Sequence, residues 1–161
     1  MSEACRELGA NVQMCGPDVA EEAIVDEMVI AAVAESGSLD LLVVDGAGLF
    51  THGIADSGDA RAALRTCLDA TWNVTRAVVN RAFLLAERSP PSGRIVYLAP
   101  ASDAGEHAGA ARAGLENLAR TLSIEWARHG ITLVTIAPGE ATATSPAGAY
   151  FSGCLLDLRG P

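Results

Sequence analysis

Short apolar runs alternate along this chain with longer segments in which apolar residues recur every three or four positions. The first pattern predicts strands and the second predicts amphipathic helices. Strands are predicted at Asn11–Met14, Leu41–Val44, "GRIVYLAP", "GITLVTIAPG" and the closing "YFSGCLLDLRG". Leu41–Val44 has no polar residue, which is typical of a parallel strand covered on both faces.

Three long helices are predicted between these strands, over Ala20–Glu35, Ala60–Glu87 and Gly109–His129, and a short helix over Glu3–Leu8 precedes them. Each long helix carries an apolar stripe that is predicted to face the core. The stripes contain Ile24, Met28 and Ala32, then Leu64, Leu68, Trp72, Thr75, Val79 and Phe83, and then Leu115, Leu118, Leu122 and Trp126.

Helices that separate consecutive strands indicate a parallel sheet built from βαβ units, so the predicted fold class is α/β with about five strands and three long helices. The polar stretch from Thr51 to Asp59 is predicted to be a connection. At 161 residues and without internal repeats, the chain is predicted to form a single domain over residues 1–161.

The formal net charge is −9, and all 11 basic residues are arginine. Nucleic-acid binding needs a basic footprint, so this function class is excluded. No apolar run approaches the ~20 residues of a membrane-spanning helix, and no membrane role is expected. The first residues, MSEACRELG, carry acids where a secretory signal has basic and apolar residues, so a cytoplasmic protein is expected.

The four cysteines, Cys5, Cys15, Cys67 and Cys154, show no CxxC or Cys/His ligand spacing. In a cytoplasmic chain such scattered cysteines are expected to be reduced thiols, and no metal site is predicted.

The order of motifs resembles the short-chain dehydrogenase/reductase family from about residue 3 to the end of the chain. "DGAG" at Asp45–Gly48 is similar to the family's NNAG turn, "GRIVYLAPAS" to its serine-bearing strand, "GITLVTIAPG" to its PG strand and "YFSGCLLDLRG" to its closing strand. Several fragments in the correct order indicate the fold more strongly than any one alone. The resemblance implies a truncated, Rossmann-like parallel sheet that lacks the family's first βαβ unit.

The resemblance also implies where a cofactor would bind. Members of the family open with a glycine-rich turn whose backbone approaches the cofactor pyrophosphate, and this sequence contains no GxxxGxG. The weak candidates for cofactor contact are the residues of the DGAG turn, Asp45, Gly46, Ala47 and Gly48. The simpler interpretation is a turn that requires small residues, and no cofactor is expected.

Catalysis in the family is assigned to an Asn, a Ser, a Tyr and a Lys, and the resemblance places these positions at Cys67, Pro100, Ala108 and Arg112. Alanine has no proton to transfer, and arginine, with a pKa above ~12, cannot relay one. Ser102 could replace the missing serine only in a rearranged loop. The interval between Gly139 and Tyr150 also leaves little room for the family's substrate-covering helices, so no catalytic residue is predicted.

Other chemistry stays open at three places. His107, Ser102 and Asp103 are residue types of a hydrolase triad, but they share one short loop without a nucleophile elbow, and the alternative is a solvated polar loop. Arg112 is either an anion contact or a solvent-facing residue, and Cys67 is either an apolar-face residue or a nucleophile. His52 and His129 are expected at the surface.

The leading hypothesis is a non-catalytic subunit, similar to this family, that associates with an active family member or with its own copy. In relatives the second and third long helices form the main dimer bundle. The predicted interface residues are Leu64, Trp72, Val79, Leu115, Leu118, Leu122 and Trp126. The alternative is an NAD(P)-dependent short-chain oxidoreductase or ketoreductase whose cofactor site a partner completes. A third possibility is a decayed or truncated gene product.

The sheet itself gives a further expectation. If Asn11–Met14 pairs beside Leu41–Val44, right-handed crossovers place all three long helices on one side of the sheet. The strands carry apolar residues on both faces, so the opposite face is expected to be bare apart from the Glu3–Leu8 helix. A bare apolar face would drive the chain to associate.

Overall fold

The computed structural model describes residues 2–7, 9–16, 21–84, 92–137 and 154–156. The elements in chain order are α1 (Ser2–Glu7), α2 (Glu22–Ser36), β1 (Leu41–Val44), α3 (Gly46–Ser57), α4 (Ala60–Val78), β2 (Gly93–Leu98), α5 (Ala108–Trp126), β3 (Ile131–Ile136) and β4 (Cys154–Leu156). A π-helical turn over Val79–Phe83 continues α4, and a 3-10 turn over Ala127–His129 continues α5. The α/β fold class is confirmed.

The predicted strand at Asn11–Met14 is wrong, because residues 9–16 form neither helix nor strand. Side chains hold this segment instead: Arg6 Nη2 donates to Val12 O at 3.0 Å, and Gln13 Nε2 donates to Glu35 Oε2 at 2.9 Å. The sheet of the described residues therefore has four strands rather than five.

The predicted connection from Thr51 to Asp59 is also wrong, because this stretch is helical as far as Ser57. The Asp45 side chain accepts a hydrogen bond from Gly48 N at 2.9 Å and so caps the amino terminus of α3. Gly58, at φ 65°, closes the carboxyl end with a bond from its N–H to the carbonyl of Ile54. The described residues thus contain four long helices, where the sequence predicts three.

Helices α4 and α5 agree with the predicted segments at their amino ends. The Asp59 side chain accepts from Arg61 N at 2.8 Å and caps α4. Regular α-helix in α4 ends at Val78, and the π-helical turn continues it to Phe83. The predicted end at Glu87 lies outside the described residues, and so does the shortened interval after Gly139.

The sheet is parallel throughout, with strand order β1-β2-β3-β4. Ile95 on β2 pairs with Leu42 on β1 and with Leu133 on β3. These three side chains and Tyr97 form one face of the sheet, and all the long helices pack their buried stripes into the same core cluster. The long helices of the described residues therefore share one side of the sheet, although the predicted condition for this arrangement, a strand at Asn11–Met14 beside β1, is not met.

The opposite face is not bare, which corrects the expectation from the sequence. Val96, Val134 and Ile136 are only 2%, 4% and 6% exposed, and Val43 and Leu98 pack beside them. These five side chains form a second apolar cluster that is shielded from water at its centre. The drive to associate through this face is correspondingly weaker than the sequence predicts.

Helix α2 lies at the outer side of the helical layer. It packs against α4 and the π-helical turn, whereas α4 itself covers β1 and α5 covers β3. Ion pairs strengthen this contact: Asp26 accepts from Arg81 at 3.1 Å and lies 3.5 Å from Arg76. Helix α2 makes little contact with β1, so α4 is the helix that covers this strand.

Candidate functional site

The family-equivalent positions gather at the edge of the sheet where the parallel strands end. Ligands of open α/β sheets bind at this carboxyl edge. Asp45 follows β1, Ala99 and Pro100 follow β2, and Ala137 follows β3. The sequence therefore brings the DGAG stretch and the serine-equivalent strand end to the same edge, as the resemblance implies.

The DGAG stretch forms the amino-terminal cap and first turn of α3. Close packing at this point explains why its residues are small. A side chain at Gly48 would place its Cβ 2.7 Å from the capping oxygen Asp45 Oδ2. A Cβ at Gly46 would lie 2.7 Å from Leu115 Cδ1 and 3.0 Å from the carbonyl oxygen of Leu98. The four candidate cofactor residues thus form a helix cap packed closely against α5 and β2.

Cys67 lies beneath this cap and is completely buried. Its thiol donates to Gly46 O at 3.3 Å. Burial raises the pKa of Cys67 to about 12, and the negative charge of Asp45 adds to the increase. A nucleophilic cysteine needs the thiolate form, so this protonated thiol fits the apolar-face interpretation better than the nucleophile interpretation.

The buried thiol predicts a loss of stability in alkali. In the unfolded chain Cys67 ionises near its ordinary pKa of 9.0, whereas in the folded chain the pKa is about 12. Stability from the neutral thiol is complete below pH 9 and disappears as the pH rises toward 12, at up to about 1.4 kcal/mol per pKa unit. Urea unfolding between pH 8 and pH 11 should show this decline, and Cys67→Ala should flatten it; equal slopes for both chains would contradict it.

The other three family-equivalent positions are spread over the same region. Pro100 is buried, and Ala108 is completely buried on the stripe of α5 that also contains Leu115. Arg112 is half-buried, so the simple solvent-facing interpretation is not accurate. A thiol, a proline ring, a methyl group and a guanidinium occupy the positions to which the resemblance assigns the family's reactive set.

The triad residue types are not arranged as a triad. Ser102 and Asp103 are exposed on the loop after β2. His107 stands at the amino end of α5 in the left-handed region, at φ 63°, and its Nε2 lies 3.5 Å from Glu106 Oε1. The solvated-loop interpretation is the one that this arrangement favours. His52 is exposed and His129 is half-buried.

The predicted interface residues divide into two groups. Val79, Leu115 and Leu122 are core residues of this chain, with exposures of 0%, 0% and 2%, so they are not available to a partner. The sequence could not separate them from surface residues because all the stripes show the same helical spacing. Four side chains keep exposed area on α4 and α5, namely Leu64, Trp72, Leu118 and Trp126.

Sequence reasoning missed two polar contacts that fasten the helices to the sheet. The hydroxyls of Tyr97 and Thr75, both completely buried, lie 2.9 Å apart and join β2 to α4. Thr135 Oγ1 on β3 donates to the carbonyl oxygen of Leu115 at 3.2 Å. The signal available in the sequence is the tyrosine inside the apolar strand "GRIVYLAP", since a buried hydroxyl requires a partner.

The described ranges contain neither of two other kinds of site. There, no three His, Cys, Asp or Glu side chains stand close enough to hold a metal ion. None of the helices in this part of the chain has both the length and the hydrophobicity needed to cross a membrane.

Comparison with known proteins decides the family. A sequence model described as short chain dehydrogenase matches residues 1–151. This chain belongs to that family. Its fold is also that of a citronellol catabolism dehydrogenase from Pseudomonas aeruginosa PAO1, with a TM-score of 0.67 at 24% identity over 97% of this chain and 75% of that one.

Two curated relatives of this chain come from Thauera aromatica. They are the (2S)-[(R)-hydroxy(phenyl)methyl]succinyl-CoA dehydrogenase subunits BbsC and BbsD, each 32% identical to this chain. The match with BbsC covers 86% of this chain and 56% of the relative, and the match with BbsD covers 76% and 50%. The chain thus spans about half the length of these relatives.

Proposed function

We propose that this chain is a non-catalytic subunit of the short-chain dehydrogenase family, which acts by association with a second protein of that family. The observation that carries the proposal is the set of residues at the family's catalytic positions. Cys67 and Ala108 are completely buried, and neither they nor Pro100 and Arg112 supply a group that exchanges protons near neutral pH. We place the assembly in the cytoplasm, as the sequence predicts.

The packing around these positions supports the proposal. A catalytic side chain at residue 108 would need a route from the core to the surface, and the methyl group of Ala108 has none. The cap residues Gly46 and Gly48 are in close contact with Leu115 and Asp45. The carboxyl edge therefore serves the fold at points where an active family member keeps its chemistry.

The relatives support association with a family member. BbsC and BbsD are both subunits of one dehydrogenase, and this chain is similar to each of them. Two proteins that are similar to this chain thus occur as subunits of one dehydrogenase, and this supports a pairing with a related protein. We propose the same kind of pairing here, either with an active family protein or with a second copy of this chain.

A suitable surface lies on α4 and α5, which contact each other where Leu68 packs on Gly114. Trp72 on α4 is 40% exposed and Ile124 on α5 is 76% exposed. Exposed tryptophan and isoleucine on neighbouring helices are typical of association surfaces, and tryptophan is enriched among interface residues that dominate binding energy. We call this the α4/α5 surface.

The first test is enzymatic. The isolated chain is expected to show no oxidation of alcohols and no reduction of ketones above the buffer rate with NAD(P)+ or NAD(P)H, since loss of a general acid alone costs a factor of about 10² to 10⁴. Absorbance at the reduced nicotinamide band measures this, with an active family enzyme in parallel as the positive control. Cofactor-dependent turnover that remains constant through successive purification steps would contradict the proposal.

A second candidate is an NAD(P)-dependent oxidoreductase whose cofactor site is completed by a partner. The observation that favours it is the helix cap at Asp45–Gly48, which remains at the sheet edge where family members bind their cofactor. Quenching of Trp72 and Trp126 fluorescence by NADH discriminates between the candidates. Low-micromolar binding by the chain with its partner, and turnover by that complex which requires this chain, would favour the second candidate.

A further inference from the structure

Helix α2 buries the smallest share of its residues among the four long helices. Of its 15 residues only Val25 and Val29 are buried, whereas seven residues of α4 and six of α5 are buried. Its main contacts are with α4 and the π-helical turn rather than with the sheet. An isolated helix of this length is marginal in water, so α2 depends on these contacts for its structure.

The charges of α2 are not balanced within the helix. Its sequence, EAIVDEMVIAAVAES, contains four acidic residues and no basic residue. Glu22 and Asp26 are four positions apart, and like charges at this spacing destabilise an isolated helix. The helical form of α2 therefore needs positive charge from a neighbouring element.

Two arginines beside α2 supply this charge. Arg76 Nη2 lies 2.6 Å from Glu22 Oε1 and 3.5 Å from Asp26 Oδ1, so one guanidinium bridges the two carboxylates. Arg81 Nη2, in the π-helical turn, donates to Asp26 Oδ2 at 3.1 Å. Asp26 thus lies between two guanidinium groups.

The π-helical turn helps both arginines to reach the same carboxylate. In an α-helix, residues five positions apart point about 140° away from each other. The i→i+5 bonding of a π turn winds the chain less tightly, and here Leu84 N donates to Val79 O at 2.9 Å across the turn. The angle between Arg76 and Arg81 is therefore smaller than in a regular α-helix.

The cluster is partly shielded from water and is held by charge. The side chains of Arg76 and Asp26 are 23% and 21% exposed, so their attraction is screened less than that of a fully exposed pair. Asp26 Oδ1 and Arg76 Nη2 are both buried and approach each other without the alignment of a hydrogen bond. A neutral amide at residue 26 would therefore not replace the carboxylate.

We propose that Asp26, Arg76 and Arg81 form a charge latch that holds α2 on the fold. When the latch is weakened, α2 detaches and unfolds as a unit, while the sheet, α4 and α5 stay folded. Ionic strength controls the latch, because dissolved ions screen the same charges. None of the three residues is at a family-equivalent catalytic position, so the latch does not depend on the proposed function.

Hydrogen exchange of the 161-residue chain, followed by mass spectrometry, tests the latch without any substitution. The amides of α2 are expected to exchange together and at least about tenfold faster than those of β2 and β3, since local opening needs less free energy than global unfolding. An increase from about 0.1 M to about 1 M NaCl shortens the screening length from about 10 Å to about 3 Å and should lower the protection of α2 at least about threefold. Exchange of α2 at the rate of the sheet, or no response of α2 to salt, would overturn the proposal.

A matched pair of substitutions separates the latch from the net charge of α2. Asp26→Asn is expected to lower the protection of α2 at least about tenfold, because it leaves Arg76 and Arg81 without their shared carboxylate. Glu27→Gln removes the same charge from the next position, which is exposed, and should change protection by less than about twofold. Both variants should keep a cooperative thermal transition. Equal effects on α2, or global unfolding of the Asp26 variant, would contradict the latch.

A double substitution tests whether Arg81 acts through Asp26. Arg81→Gln alone is expected to lower the protection of α2 at least about threefold. In the Asp26→Asn background the same change should have little further effect, because the shared carboxylate is already absent. Additive effects of the two substitutions would show that Arg81 acts independently of Asp26, and the proposed latch would be wrong.

Discussion

Leu115→Arg is expected to unfold the chain rather than to dissociate an oligomer. Leu115 is completely buried, contacts the cap at Gly46, and accepts the bond from Thr135 through its backbone. Truncation of a buried leucine alone costs about 2–5 kcal/mol, and an unpaired buried charge increases that cost. Since small domains have about 5–15 kcal/mol of total stability, the variant should lose its cooperative thermal transition in circular dichroism.

Ile30→Arg provides the control for this experiment. Ile30 is 50% exposed on α2, so the same kind of substitution should change the unfolding free energy by no more than about 0.5 kcal/mol. If the Leu115 variant instead melts like the wild type while it elutes as a smaller particle, then Leu115 lies in an interface and the core assignment is wrong.

Trp72→Arg is expected to have the opposite profile, with the fold retained and the association lost. Trp72 is 40% exposed on α4, and truncation of a central interface tryptophan typically costs about 2 kcal/mol or more. The dissociation constant of the oligomer should therefore rise by roughly thirtyfold or more. Sedimentation velocity over a micromolar concentration series measures this change.

Circular dichroism of the Trp72 variant shows whether the monomer remains folded. Ile30→Arg again serves as the control, because Ile30 lies on α2, outside the α4/α5 surface, and this variant should sediment like the wild type. An unchanged dissociation constant for Trp72→Arg would remove the α4/α5 surface from the proposed function and leave the residues at the catalytic positions as its remaining support.

The fold could be predicted from the sequence wherever a pattern has a single physical meaning. Leu41–Val44 is an unbroken apolar run and forms a strand, and Gly109–His129 has a clear helical stripe and agrees with α5 and its 3-10 turn. Helix α3 was missed because glycines and polar residues interrupt its pattern. Its amino terminus depends on one side-chain bond from Gly48 N to Asp45, which no average over residues reveals.

At the candidate site, too, the sequence predicts the chemistry of single residues but not their burial or their long-range contacts. Residue types at Ala108 and Arg112 suffice to predict the loss of proton-transfer groups, because that conclusion depends only on their chemistry. Burial does not follow from type: Leu115 and Leu118 have the same side chain and share one stripe, yet only Leu115 is completely buried. The contact of Cys67 with Gly46 joins residues 21 positions apart, which the sequence pattern cannot show.

The strand order β1-β2-β3-β4 has a consequence for the way the chain acquires its structure during synthesis. Each strand pairs with the strand that precedes it, so a newly made strand and helix can dock on an edge that has already left the ribosome. Domains in which contacts form between sequence neighbours fold faster than those that wait for distant segments. Growth from β1 toward β4 therefore presents one new edge at a time to the strand that follows, and each such edge stays unpaired only until that strand is made.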